Sequence, residues 1–239
     1  MPDRLRLAVF DCDGTLVDSQ HAIVSAMTRA CVACDVPAPP AEVIRRTVGL
    51  PLPEAVARMV PDVVGLRHER LVQGFRDAFR ESHGEPGDME PLYPGVHAAI
   101  AALEEAGFLL AIATGKSRRG LIATLERHGL REHFVCLKTV DDGPGKPSPV
   151  ILRDAMVEMG VEAAETVMIG DTTFDMMMAG AAGAKAIGVA WGYHDVHELV
   201  AYGAHEIVSS YGPLPATVAR LIEPVEPVPG CPGPADVMV

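Results

Sequence analysis

A doubly wound, parallel α/β sheet carrying an all-helical insertion is the fold this sequence predicts, and three features predict it. Short apolar runs recur along the chain, stretches of helical spacing separate the later runs, and one long segment after the first run has helical spacing with no convincing strand. Strand and helix in strict alternation imply a parallel sheet, because each parallel connection must cross over, and the ligand crevice of such a sheet lies at the carboxyl ends of its strands. The 239 residues, 49% hydrophobic and 22% charged, provide apolar mass for one or two domains.

The first run, Leu5, Leu7, Ala8, Val9 and Phe10, ends abruptly in Asp11, as expected of a strand buried on both faces. Residues 19–83 follow as the helical segment, in which Ile23, Met27 and Ala30 share one face, Val56, Met59 and Val60 a second, and Leu71, Phe75 and Phe79 a third. Its exit, with Gly84, Pro86, Gly87, Pro91 and Pro94, has the punctuation of a hinge or linker. Further strands are expected over 108–113, 134–140, 166–169 and 184–190, and helices over 95–106, 117–128, 148–159 and 173–182. The domain organisation expected is a core of residues 1–17 and 90–223, a helical cap of 18–89, and a Pro-rich tail of 224–239 that is extended or poorly ordered.

A net charge of −12 argues against nucleic acid as a partner, since backbone phosphates call for a basic footprint. No apolar stretch reaches the roughly 18 residues of a membrane span, and the charged start at Asp3, Arg4 and Arg6 is unlike a signal peptide, so a cytoplasmic protein is expected. Five scattered cysteines, Cys12, Cys31, Cys34, Cys136 and Cys231, do not make a disulfide framework. Cys31 and Cys34 have zinc-like spacing but lack a second pair, and read as packing residues on one helix face. Met176, Met177 and Met178 likewise read as packing, and His194 and His197 as ordinary residues of one helix face.

The chemistry gathers at strand ends. Asp11-Cys12-Asp13-Gly14-Thr15-Leu16-Val17-Asp18 puts two carboxylates one residue apart where a buried strand meets a loop, an arrangement that is costly unless a cation is present. After the second strand, Thr114-Gly115-Lys116 offers a hydroxyl and an adaptable backbone for a phosphate oxygen. After the third, Gly145-Lys146-Pro147-Ser148-Pro149 offers a positive point charge. After the fourth, Gly170-Asp171-Thr172-Thr173-Phe174-Asp175 adds two acids one helical turn apart. Four acids, balanced by Lys146 and one Mg²⁺, can admit a phosphate dianion.

The order Asp-x-Asp-Gly-Thr-Leu-x-Asp, Thr, Lys-Pro-x-Pro, Gly-Asp-x-x-x-Asp resembles the four motifs of the haloacid dehalogenase superfamily and covers residues 8–188. The insertion after the first motif, with Thr-Gly-Lys in the second, resembles its phosphoglycolate phosphatase-like branch. The resemblance implies a Rossmann-like core and a Mg²⁺-dependent phosphatase acting on a small phosphomonoester such as phosphoglycolate. By the same resemblance Asp11 is the nucleophile and Asp13 the general acid and base. Asp11, Asp171 and the backbone carbonyl of Asp13 hold the metal, with Asp175 assisting from one layer further out or orienting the lysine, while Thr114, Gly115 and Lys146 hold phosphate. The segment Arg45-Arg46-Thr47-Val48-Gly49-Leu50-Pro51 resembles the cap loop facing the active site, where Arg45 or Arg46 would pair with an anionic substrate tail. Two departures matter: many phosphoglycolate phosphatases carry Asn at the place of Gly115, and the dehalogenases themselves lack the acid at the place of Asp13. A phosphomutase would use the same motifs, and a non-catalytic binding protein on this fold would be expected to have lost one of Asp11, Asp13, Lys146 or Asp171, all of which are present.

Overall fold

The computed structural model describes residues 4–82 and 90–222. Six strands, β1 (Arg6–Phe10), β2 (Phe108–Ala113), β3 (Cys136–Lys138), β4 (Thr166–Gly170), β5 (Lys185–Val189) and β6 (Glu206–Val208), form one sheet in the order β3-β2-β1-β4-β5-β6. Every pairing in it is parallel. β1 is central, with Phe10 opposite Ile112 on one side and Ile169 on the other. The carboxyl ends of β1, β2 and β4 therefore finish together, and the order reverses beside β1, which opens the crevice there.

Between β1 and β2 lie α1 (Gln20–Ala33), α2 (Ala41–Arg45), α3 (Leu52–Met59) and α4 (Leu66–Ser82), the helical insertion expected from the sequence. Met27, Ala30, Ile44, Val56, Met59 and Leu71 make its own core, which also takes in Phe174 from the sheet domain. The later helices are α5 (Val96–Glu105), α6 (Arg118–Arg127), α7 (Val150–Met159), α8 (Thr173–Ala182), α9 (Val196–Ala201) and α10 (Leu214–Ile222). Alternate strand residues feed two cores: Ala8, Phe10, Leu110 and Ile112 pack with Ile100, Leu121 and Val218, while Leu7, Val9, Ala111 and Met168 pack with Ile151, Met176 and Leu199. Burial on both faces is why these strands read as unbroken apolar runs.

Three elements depart from the expectation. β3 is shorter than 134–140, because the Thr139 N–H and hydroxyl both donate to Asp142 Oδ2, at 2.8 and 2.7 Å, and turn the chain away. β6 is a three-residue edge strand and α9 a six-residue helix, too short to carry a period. The hinge appears as a pair of adjacent segments: Asp18 N–H donates to Pro91 O at 2.8 Å and Tyr93 N–H to Leu16 O at 3.0 Å, so the chain leaves for and returns from the insertion side by side. Gly84, Pro86 and Gly87 of the expected linker, and the expected tail, lie outside the described residues. Among those described, no helix is long and apolar enough to cross a membrane.

Candidate active site

Parallel strands that end together bring four separate loops to one place. Asp11 follows β1 and is 1% exposed, its N–H donating to Ile169 O at 2.9 Å. Its Oδ1 accepts the Cys12 N–H at 2.6 Å and lies 2.8 Å from Lys146 Nζ, which also stands 2.6 Å from Asp175 Oδ1. Asp175 is locked by the start of α8: the N–H and hydroxyl of the capping residue Thr172 donate to Asp175 Oδ2, at 3.1 and 2.6 Å. Asp171 accepts from the Thr15 hydroxyl at 3.0 Å and from Tyr193 N–H at 2.9 Å. Gly14, at φ +82°, lets the loop cross directly over this acid, and a Cβ there would land on the Asp171 carboxylate and the Tyr193 ring.

Asp11, Asp171 and Asp175 each offer a carboxylate oxygen, all within 4.8 Å of one another. Asp11 Oδ2 is buried with no hydrogen-bond partner among the described residues. An orphaned carboxylate oxygen in an all-oxygen set fits a hard divalent cation. The electrostatics agree. Burial pushes the Asp11 carboxyl up to about 6, Lys146 pulling against it and Asp175 and Asp13 adding to it. Burial, then Asp11 and Asp175, hold Asp171 well above the usual carboxylate range. Burial disfavours the Lys146 charge, but Asp11 and Asp175 outweigh it and keep the ammonium more firmly protonated than usual. Three clustered buried acids, two of them paired with one lysine, carry an excess of negative charge that a cation would balance.

The Asp13 side chain pairs with Lys116, whose Nζ lies 2.7 Å from Asp13 Oδ1 and 3.1 Å from Glu90 Oε1. Glu90 also accepts the Thr124 hydroxyl at 3.2 Å. Sequence reasoning assigned no role to Lys116 or Glu90. The lysine was visible one residue past Thr114-Gly115, whereas Glu90 carried no signal, since its burial follows from how the chain returns from the insertion. Thr114 Oγ1 accepts the Lys116 N–H at 3.2 Å, leaving its own proton to donate.

Above these groups is a cavity of about 830 Å³, bounded by Asp11, Asp13, Thr114 and Gly115 on the sheet side and by residues 47–51 and α4 on the insertion side. The loop sits directly on Gly115, where a Cβ would come within 2.7 Å of Gly49 O. Any larger residue at this position, Asn included, requires the loop to move. Arg45 and Arg46 are placed elsewhere than the sequence suggested. Arg45 pairs with Glu42 at 3.3 Å, and Arg46 pairs with Glu198 of α9 and lies 3.8 Å from Asp195. The cations that line the cavity are Lys116, Arg76, Arg80, Arg119 and Arg127. His194 ties loop to sheet domain: its Nδ1 accepts the Thr173 N–H at 3.1 Å and its Nε2 lies 3.2 Å from Arg46 O. Burial lowers its affinity for a second proton, which suits this neutral arrangement. Met176 and Met178 are core residues as expected, while Met177 is 40% exposed.

Fold and site together define a hydrolase class, and the chain belongs to the haloacid dehalogenase-like hydrolases, whose family profile matches residues 8–189. It is 36% identical over 223 residues to the probable phosphatase IndB of Dickeya dadantii, covering 91% of this chain and 95% of that one. It is 34% identical to a phosphoglycolate phosphatase of Mesorhizobium japonicum, over 80% and 85% of the two chains. Among solved structures, a hydrolase from Pseudomonas syringae superposes with a TM-score of 0.80 at 25% identity, covering 91% of this chain and all of the other.

Proposed function

We propose that the protein is a cytoplasmic, Mg²⁺-dependent phosphoric monoester hydrolase that works through an aspartyl-phosphate intermediate. The observation that carries this reading is Asp11: a buried carboxylate at the central strand end, with one oxygen engaged by Cys12 and Lys146 and the other without a partner among the described residues. The relatives' names support a phosphatase and make phosphoglycolate a substrate to test. Free thiols at Cys12, Cys31, Cys34 and Cys136 are consistent with a reducing compartment.

In the first half-reaction an Asp11 carboxylate oxygen attacks phosphorus in line, the bond from phosphorus to the ester oxygen breaks, and Asp13 gives its proton to the departing alcohol. In the second, water attacks the phosphorus of aspartyl phosphate and passes a proton to Asp13, the bond from Asp11 to phosphorus breaks, and inorganic phosphate leaves. Asp11, Asp171 and the Asp13 carbonyl are the groups that would hold Mg²⁺, with Asp175 behind them. When bound, the ion supplies positive charge beside the transferring phosphoryl group. The Thr114 hydroxyl donates to a phosphoryl oxygen, the Gly115 backbone serves where many phosphoglycolate phosphatases have a side chain, and the Lys146 ammonium neutralises the group while spanning Asp11 and Asp175. The core of residues 1–17 and 90–223 carries the chemistry, and the cap of 18–89 covers it and excludes water. Asp11→Asn should abolish Mg²⁺-dependent hydrolysis of p-nitrophenyl phosphate, and wild-type activity should vanish in EDTA. Hydrolysis retained by the variant would overturn the assignment.

A further inference from the structure

The cavity over Asp11 and Asp13 holds about 830 Å³, toward the upper end of the volumes that enclose drug-sized ligands. A two-carbon hydroxy acid phosphate is polar throughout and would leave most of that space to water. The insertion side of the cavity is largely apolar: Ile23 and Met27 from α1, Leu52 and Met59 from α3, and Phe75 and Phe79 from α4 line it, alongside Arg76 and Arg80 of α4. Phe75 and Phe79 stand one helical turn apart with their rings stacked at 5.6 Å and 17°. Apolar side chains facing a hydrated cavity gain free energy when that water is exchanged for apolar ligand surface.

The apolar wall is also joined to the reacting end. Lys116, which holds the Asp13 carboxylate at 2.7 Å, has its ammonium 5.2 Å from the centre of the Phe79 ring. A substrate body resting against Phe79 therefore lies beside the acid that serves its ester oxygen. Phosphate is anchored on the sheet side, and α1, α3 and α4 supply most of the apolar lining that the alcohol can reach. We infer that the substrates are phosphomonoesters of alcohols with an apolar body about the size of an aromatic ring, held against Phe75, Phe79 and Met59, in preference to short hydroxy acids such as glycolate. This inference rests on the phosphatase reading above.

The test compares 2-phenylethyl phosphate, ethyl phosphate and phosphoglycolate with the full-length protein in Mg²⁺. All three are esters of primary alcohols, so the comparison reads the body of the alcohol more than the activation of the leaving group. The expected kcat/KM for 2-phenylethyl phosphate is about tenfold or more above the other two, the gain from burying one ring. Phe75→Ala should lower the ratio of kcat/KM for 2-phenylethyl over ethyl phosphate about tenfold, and this ratio does not depend on how much of the variant is folded. Phosphoglycolate turned over as efficiently as the phenylethyl ester, or a ratio unchanged in Phe75→Ala, overturns the inference and leaves the phosphatase reading standing. Failure to hydrolyse all three esters and p-nitrophenyl phosphate overturns both.

Discussion

Replacing Lys146 with Met removes one positive charge from the centre of the acidic site while keeping an unbranched chain of similar bulk. Lys146 Nζ lies 2.8 Å from Asp11 and 2.6 Å from Asp175, and none of the three side chains is more than 1% exposed. Removing one partner from a buried ion pair leaves an uncompensated charge, at a cost of about 3–5 kcal/mol. For a chain of this size that corresponds to a fall of about 10 °C in Tm. The pH dependence gives the sign. Lys146 pulls the Asp11 carboxyl down from where burial alone would put it, so without the lysine Asp11 stays protonated to higher pH. The uncompensated charge exists only where the acids are ionised. The loss should therefore be smaller at pH 5, below the value of about 6 for Asp11 in the wild type, and grow as pH rises above it toward 8. Saturating Mg²⁺ should restore part of the stability, because the ion binds the folded site. Thermal or urea unfolding of wild type and variant in EDTA, at pH 5 and pH 8, measures this directly. Equal stability at pH 8, or a smaller deficit at pH 8 than at pH 5, would refute the reasoning.

Asp11→Asn should stabilise the metal-free protein while removing activity. The folded-state carboxyl is raised from 3.8 to about 6, so its contribution to stability is full below 3.8 and lost as pH rises to about 6, a loss of about 3 kcal/mol that the neutral amide avoids. Urea midpoints in EDTA should show a gain for the variant that is largest near pH 7 and absent near pH 4, and a variant no more stable than wild type at pH 7 contradicts this. Gly115→Ala brings a Cβ within 2.7 Å of Gly49 O and should displace the loop over the site. The expected cost is about 1–3 kcal/mol in stability, accompanied by a clear fall in kcat/KM, and unchanged kinetics would show that the loop does not need its observed position. Arg46→Ala should cost less than about 1 kcal/mol, since the Arg46 side chain is 40% exposed in its pairs with Glu198 and Asp195. It should also change KM for carboxylated and uncharged substrates by the same factor, as should Arg45→Ala, and a rise confined to anionic substrates would return these arginines to the binding site.

Much of this architecture was legible in the sequence because the physics that makes it is local. Leu7, Val9, Ala8 and Phe10 face two different cores, so β1 had to be apolar from Leu7 to Phe10 and announced itself as a run. The acids Asp11 and Asp171, with Thr114, could be assigned to one edge because parallel strands all point their carboxyl ends the same way, and Lys146 followed from its place beyond the third strand. Glu206–Val208 was not legible, since a three-residue edge strand carries no period.

The sequence by itself determined which residue types stand at the ends of which strands, and hence the inventory of acids, hydroxyl and lysine. Only the tertiary structure decided how they are paired. Lys146 bridges Asp11 and Asp175, Asp13 faces Lys116 with Glu90 behind it, Arg46 reaches α9 instead of the cavity, and Phe75 and Phe79 line the same cavity as the nucleophile. The physical reason is that periodicity is set by each residue's neighbours along its own element. A partner across the site is set by where two elements meet, and here that depends on how the helical insertion folds back over the sheet.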